Sequence, residues 1–342
     1  MENPKWFLKL DISNHCNLRC PHCARNFIKN DYKLNSRYVS LEKIKRWIPK
    51  SFVILNTSKT VLFSGALAEP TLNSELIEIV EYFLKLKRKI SIDSNGSTNN
   101  EDWWYKLGKT KVKCYFSPDS LVPNNNQYRI NSNTEKVISN MKAFISGGGI
   151  ASWKYLPFKH NEDEYDAQKT LAKKIGAEFG VVQPSWFDAN AEGETMVPSK
   201  YFPNSKKIVN SNLTNNPEDY CVLIGKAGSI IEVTPDGVIY PCCFAAKPFF
   251  SVYAPFFNNE ETKPLIREDL MKSSTKYKYF VEDILPLIET QGGIKTLSLN
   301  FYTITDILNT DLFKRSLKSS WESGNNFCTK ECRSRDHILY KI

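Results

Sequence analysis

Residues 15–26 read HCNLRCPHCARN. Cys16, Cys20 and Cys23 fall within eight positions, with three and then two residues between them. The chain has nine cysteines in 342 residues, so a third of them crowd into one loop. Three thiolates at this spacing can hold three irons of a 4Fe–4S cluster, leaving the fourth iron without a protein ligand. An open iron is a binding site, as an open coordination position is in a catalytic zinc centre. Half of a zinc site and a structural cluster closed by a distant cysteine are the other readings. Zinc sites favour paired C-x2-C units, and the unequal spacing here is not of that kind.

The flanking sequence places the loop. It follows a β-type run, KWFLKLDIS (5–13), and further short runs of that type recur at TVLFSG (60–65), KISIDSN (89–95), KVKCYFS (111–117), ASWKYLPF (151–158) and EFGVVQPSW (178–186). Between them the apolar residues recur with helical period. SLEKIKRWI starts at Ser40, an N-cap residue type. NSELIEIVEYFLKLKRK puts Leu76, Ile79, Val80, Phe83 and Leu86 on one face after a Ser or Asn cap. TEKVISNMKAFISGGG ends in glycines and EDEYDAQKTLAKKIG ends at Gly176, both suited to a helix C-terminus. Strand–helix alternation implies a parallel sheet with right-handed crossovers. Six units are too few for an eight-fold barrel, so the expected fold is α/β, a partial (β/α)6 TIM-like barrel over residues 1–190. In such sheets chemistry gathers at the C-terminal ends of the strands, where the three-cysteine loop lies. Cys114, inside the fourth strand, reads as a buried inert thiol.

Composition sets the class. The chain is 41% hydrophobic and 24% charged, with a net charge of +9. No apolar run approaches the roughly 20 residues that span a bilayer. The N-terminal MENPKWFLKLDIS has no basic-then-apolar leader, so the expected setting is cytoplasmic, where clustered cysteines bind metal or do redox chemistry. The densest basic stretch, Lys29 to Lys50, alternates with Asn, Tyr and Leu and reads as a solvated helical face. Attraction to nucleic acid is left open and has no motif to support it.

CNLRCPHC resembles the C-x3-C-x2-C signature of the radical S-adenosylmethionine (radical SAM) enzymes, and its place after the first strand of a partial barrel is similar too. The resemblance implies a site-differentiated 4Fe–4S cluster on Cys16, Cys20 and Cys23. Its open iron chelates S-adenosylmethionine, whose reductive cleavage gives methionine and a 5′-deoxyadenosyl radical that abstracts hydrogen from a substrate. His22 occupies the position of the ring that lies near the adenine. FSGALAEPTLN resembles the Gly-rich GGEP loop that binds the methionine amino group, with Gly65, Glu69 and Pro70 matching and Ala66 and Ala68 departing. DSNGS resembles the family's TNG, which makes Ser94 and Asn95 cofactor contacts. SPDSL…NQYR resembles a strand end followed by an Arg, so Arg129 is either a bidentate partner of the cofactor carboxylate or a surface residue.

After about residue 187 the pattern changes. A Pro/Asn-rich stretch (193–218) leads to GSIIEVTPDGVIYPCCF, a β-hairpin with Pro235-Asp236-Gly237 at its turn. Helix-like KYFVEDILPLIE and TITDILNTDLFKRSLKSSWESG follow, then FCTKECR. Cys221, then Gly237, then Cys242 with four residues between the last two, resembles the opening of the SPASM and twitch extensions of radical SAM proteins. CTKEC resembles their closing cysteines. The resemblance implies a twitch/SPASM-like lobe over 191–342, carrying a second, auxiliary 4Fe–4S cluster on Cys221, Cys242, Cys328 and Cys332, with Cys243 as the alternative to Cys242. A structural zinc is the other reading of these spacings. The implied function is a radical SAM oxidation or modification of a peptide or protein side chain, with the auxiliary cluster as electron acceptor. A nucleotide or sugar-like small molecule is the alternative substrate, and a non-catalytic Fe–S or zinc-binding module on a degenerate barrel is the alternative class. A reducing partner such as flavodoxin or ferredoxin follows from the chemistry. No general base is singled out.

Overall fold

The structure is a computed structural model describing residues 6–21, 23, 37–65, 68–121, 127–182, 230–240, 246–257 and 263–316. Seven strands form one sheet in the order β6-β5-β4-β3-β2-β1-β7. They are β1 (Trp6–Leu10), β2 (Thr57–Phe63), β3 (Lys89–Ser94), β4 (Lys113–Phe116), β5 (Ile150–Tyr155), β6 (Glu178–Val181) and β7 (Ile230–Val233). β1–β7, β3–β4, β4–β5 and β5–β6 pair in parallel. Six strands lie where the sequence runs predict them. The seventh is the first arm of the expected hairpin, which pairs beside β1.

Contacts divide the chain into two compact units. One comprises residues 15–26 and 62–206. Its helices α3 (Leu76–Lys85), α4 (Glu101–Lys109), α5 (Thr134–Ser146) and α6 (Tyr165–Ile175) alternate with β3–β6. Leu76, Ile79, Val80 and Phe83 of α3 are fully buried, as the helical period requires. The expected Ser or Asn N-cap of α3 is not found: Glu75 occupies that position without a side-chain bond, and Asn73 Oδ1 instead accepts from Glu75 N at 2.9 Å. Asn100 and Asn133 cap α4 and α5, and Gly176, at φ +84°, ends α6. Trp104, Phe116 and Phe144 meet at ring-centroid distances of 5.0–6.2 Å and fill the layer between strands and helices.

The other unit comprises residues 1–14, 27–61 and 207–342. It holds β1, β7, and the helices α1 (Leu41–Trp47) and α2 (Lys50–Asn56). Ser40 caps α1 as expected, accepting from Lys43 N at 3.3 Å. β1 and β7 bury Leu8, Leu10, Ile231 and Val233, and Lys9 Nζ donates to Glu232 Oε1 at 2.6 Å. The turn after β7 forms as read: Gly237 has φ +79°, and its N–H donates to Thr234 O at 2.9 Å. The returning arm makes isolated antiparallel bridges, Val233 to Ile239 and Val238 to Ser298. Further on, Phe249, Phe250, Tyr253, Phe257 and Phe280 form a buried aromatic cluster with Tyr240. The domain boundary expected near residue 190 lies outside the described residues. Among the described residues, no helix is long and apolar enough to cross a membrane.

Candidate functional site

The three-cysteine loop leaves β1 and is fastened at several points. His15 O accepts from Glu69 N at 2.8 Å, Arg19 N donates to Ile130 O at 3.1 Å, and Cys23 N donates to Cys20 O at 3.1 Å. Cys16, Cys20 and Cys23 are free thiols and half-buried. Asn17 Nδ2 donates to Ser97 Oγ at 2.8 Å, while Asn95 Nδ2 donates to Asn17 Oδ1 at 2.9 Å and lies 3.8 Å from Cys16 Sγ, a weak sulfur hydrogen bond. Leu18 N also donates to Cys16 Sγ, at 3.5 Å.

Glu69 is the hub of the neighbouring loop. Its Oε1 accepts from Thr71 Oγ1 at 2.6 Å, Ser94 Oγ at 2.7 Å and Thr71 N at 3.2 Å, and its Oε2 accepts from Asn95 N at 2.7 Å. Burial pushes the carboxyl above its usual range, and these four bonds oppose the shift. Gly65 has a packing reason: a Cβ there would lie 2.6 Å from Ala68 O, so the loop closes only around a glycine. Glu69, Ser94, Asn95 and Cys16 are thus linked by hydrogen bonds, the one to the Cys16 sulfur a weak one.

Electrostatics test whether this loop suits a metal cluster. Burial first, then the charge of Glu69 and the other two cysteines, pushes the Cys16 thiol up to about 12, against the Leu18 N–H. Cys20 is also raised, by burial above all, with Cys23 and Asp119 adding and the Arg129 guanidinium opposing. Three sulfurs and a buried carboxyl share one region, so a cationic centre is what would let the thiols ionise. The residues fit an iron–sulfur cluster on that ground. Among the described residues, no three His, Cys, Asp or Glu gather so as to hold a single metal ion. A 4Fe–4S cluster would put each cysteine on a separate iron.

Arg129, whose charge acts on Cys20, is half-buried with its guanidinium 5.8 Å from the Tyr128 ring. Its backbone N–H and that of Tyr128 donate to Asp119 Oδ2 at 3.1 and 3.0 Å. Tyr128 and Phe158 stack at 4.5 Å, and Cys20 packs against the pair. His160 stacks on Phe158 at 5.4 Å and its Nε2 lies 3.0 Å from Asp119 Oδ1. Sequence reasoning missed Asn17, Ser97, Tyr128, Phe158 and His160, and met Asp119 only within the Ser/Asp strand end SPDSL, with no role given to it. The one available signal was the position of Asp119 and His160 just after β4 and β5. Cys114 is fully buried and its thiol is pushed well up by that burial, so it is inert as read. His22, Cys221, Cys242, Cys243, Cys328 and Cys332 lie outside the described residues.

A model of the radical SAM superfamily matches residues 10–171, from the end of β1 into α6. Residues 10–171 form a radical SAM domain. The chain is 32% identical over 143 residues to a GTP 3′,8-cyclase of Haemophilus ducreyi, which is 40% of this chain and 38% of that enzyme. It is 23% identical over 309 residues to a cysteine-type anaerobic sulfatase-maturating enzyme of Clostridium novyi, 75% of this chain and 80% of the relative. Among solved structures, native anSMEcpe with bound AdoMet and Kp18Cys peptide superposes with TM-score 0.52 at 15% identity, over 97% of this chain and 88% of that one. The last likeness is one of fold. The radical SAM domain therefore contains every described residue of the cysteine loop, the Glu69 loop and the Asn95 turn.

Proposed function

We propose that this protein is a radical SAM enzyme that modifies a peptide or protein side chain by hydrogen abstraction. The observation that carries this reading is the bonded set Cys16–Asn95–Glu69 at the strand ends of a radical SAM domain. Cys16, Cys20 and Cys23 would hold a 4Fe–4S cluster, which when bound supplies the electron for reductive cleavage of S-adenosylmethionine. The chain's own residues do the positioning. Asn95 and the Leu18 N–H steady the Cys16 sulfur. Glu69, whose Oε2 accepts a single protein N–H, keeps acceptor capacity for the methionine ammonium. Arg129 offers a cation for the carboxylate, and His22 a ring for the adenine.

The peptide substrate is supported by the 309-residue similarity to a sulfatase-maturating enzyme, which spans most of both chains. The shorter, 143-residue similarity to GTP 3′,8-cyclase favours a nucleotide as the second reading. In the C-terminal region, Cys221, Cys328, Cys332 and either Cys242 or Cys243 are proposed to hold an auxiliary 4Fe–4S cluster, and a flavodoxin or ferredoxin is the proposed electron donor. The test is anaerobic reconstitution with iron and sulfide, followed by S-adenosylmethionine and reductant. Release of 5′-deoxyadenosine by the wild type and none by the Cys16, Cys20 and Cys23→Ala variant is expected. A zinc-loaded protein that never cleaves the cofactor would sink the reading.

A further inference from the structure

The helices cover one face of β3–β6. Phe116 packs there against Trp104 and Phe144, and Trp153 Nε1 donates to Gln168 of α6. Strand alternation turns Asp93, Tyr115, Ser152 and Lys154 to the opposite face. Asp93, Tyr115 and Ser152 lie level with one another across β3, β4 and β5. A sheet face intended for packing carries apolar side chains, as the helix-covered face does. This one carries charge. Lys154, on β5, reaches over β4 to hydrogen-bond Asp93 Oδ1 on β3, with its ammonium 4.4 Å from the Tyr115 ring centroid. The pair is largely out of water, at 13% exposure for the lysine side chain and 30% for the aspartate. Asp93 immediately precedes Ser94 and Asn95, which bond Glu69 and Cys16.

We propose that Asp93, held by Lys154 across the Tyr115 ring, reads the substrate, and that its guest is an uncharged amide-bearing peptide segment. This rests on the radical SAM peptide reading above and names what that site recognises. Charge decides the class. The ion pair is neutral overall, so a phosphate or carboxylate guest would meet the like charge of Asp93 and would have to break the pair to reach Lys154. A cationic guest would lose its hydration for no net attraction. An amide N–H can donate to Asp93 Oδ2 and leave the pair intact, as a charge-assisted hydrogen bond. Lys154 is then a positioning residue and Asp93 a specificity-determining one.

The test uses the iron-reconstituted full chain as wild type, Asp93→Asn, Lys154→Met and Lys154→Arg. Each is dialysed to equilibrium against a pool of acetyl-capped, amidated tetrapeptides, and separately against guanosine and GTP, with bound material counted by mass spectrometry. Wild type is expected to retain peptides. Asp93→Asn and Lys154→Met should lose that retention about tenfold, the usual scale of one charge-assisted bond, and Lys154→Arg should recover most of it. Asp93→Asn is isosteric and keeps an acceptor for Lys154, so it decides the matter if Lys154→Met does not fold. Equal peptide retention by wild type and Asp93→Asn, or retention of GTP or guanosine in place of peptides, overturns the inference. Cofactor cleavage by wild type is measured in parallel. Cleavage with unaltered retention overturns only this inference, and no cleavage overturns the functional reading and this inference with it.

Discussion

Asn95 ties the cysteine loop to its neighbours through its backbone N–H and both side-chain polar atoms. Its backbone N–H goes to Glu69, its side-chain amide to Asn17 and toward Cys16, and its Oδ1 accepts from Ser97 N and Oγ at 2.9 and 2.8 Å. Asn95→Ala would leave Asn17 and Ser97 short of partners, at a cost of about 1–3 kcal/mol, read as a lower denaturation midpoint. It should also remove a hydrogen bond to a cluster sulfur and so make the cluster harder to reduce, read as a more negative midpoint potential in a redox titration followed by EPR. An unmoved potential would show that the 3.8 Å contact with Cys16 does not act on the metal centre. At this scale the sequence was partly legible. Cys16, Glu69, Ser94 and Asn95 sit in strand-end motifs that a short stretch of sequence displays, and the structure brings them together. Asn17 and Ser97 were not legible, because their meeting, 80 positions apart, exists only once the cysteine loop and the turn after β3 come together in the fold.

The turn after β7 shows what one element can and cannot tell. Pro235-Asp236-Gly237 is read as a turn from residue types alone, and Gly237 takes the positive φ that only a turn glycine holds without strain. Its packing was invisible: a Cβ on Gly237 would lie 2.6 Å from the Trp47 ring of α1. Gly237→Ala is therefore expected to cost about 2–4 kcal/mol, combining the left-handed penalty with overpacking, as measured by chemical denaturation. A loss below about 1 kcal/mol, the level of an ordinary surface change, would mean that the turn relaxes freely. Asp236 gives the same turn a pH response. Burial pushes its carboxyl from 3.8 up to about 6, although Arg37 Nη1 approaches Oδ1 to 2.7 Å. A raised carboxyl pKa means the folded protein binds the proton more tightly than the unfolded chain. Its contribution to stability is therefore full below about pH 3.8 and lost as pH rises through about 6, to an extent of up to about 3 kcal/mol. Denaturation of wild type and Asp236→Asn across that window is expected to show this slope in wild type and its disappearance in the variant. Helix caps behaved alike: Ser40 was readable, while the cap of α3 was displaced to Glu75 because Asn73 bonds the chain one step earlier.

For the whole molecule, alternation of strand and helix made the parallel α/β sheet legible, since each period of apolar residues depends only on local sequence. Membership of the two compact units was not. Residues 15–26 group with 62–206, while 1–14 group with 27–61 and 207–342, and β7 adds beside β1 from more than two hundred positions away. Only long-range pairing creates those groupings, so no window of sequence carries them. Cys16, Cys20 and Cys23 belong to one of these units, and the proposed auxiliary ligands are a second, separate set of cysteines in the sequence. If each cysteine set holds its own cluster, iron must partition by set. Reconstituted wild type is expected to bind about eight irons, and the Cys16, Cys20 and Cys23→Ala variant about four, with no cofactor cleavage. Replacing Cys221, Cys328 and Cys332 by Ala should also leave about four irons, but with 5′-deoxyadenosine release retained, because the open iron would belong to the untouched set of Cys16, Cys20 and Cys23. Iron assay, zinc assay and chromatography of the nucleoside product on the same samples make the comparison. If the first variant lost all its iron, the second centre would depend on the first. If wild type bound only about four irons with two zinc-free variants alike, the C-terminal cysteines would be serving some other chemistry.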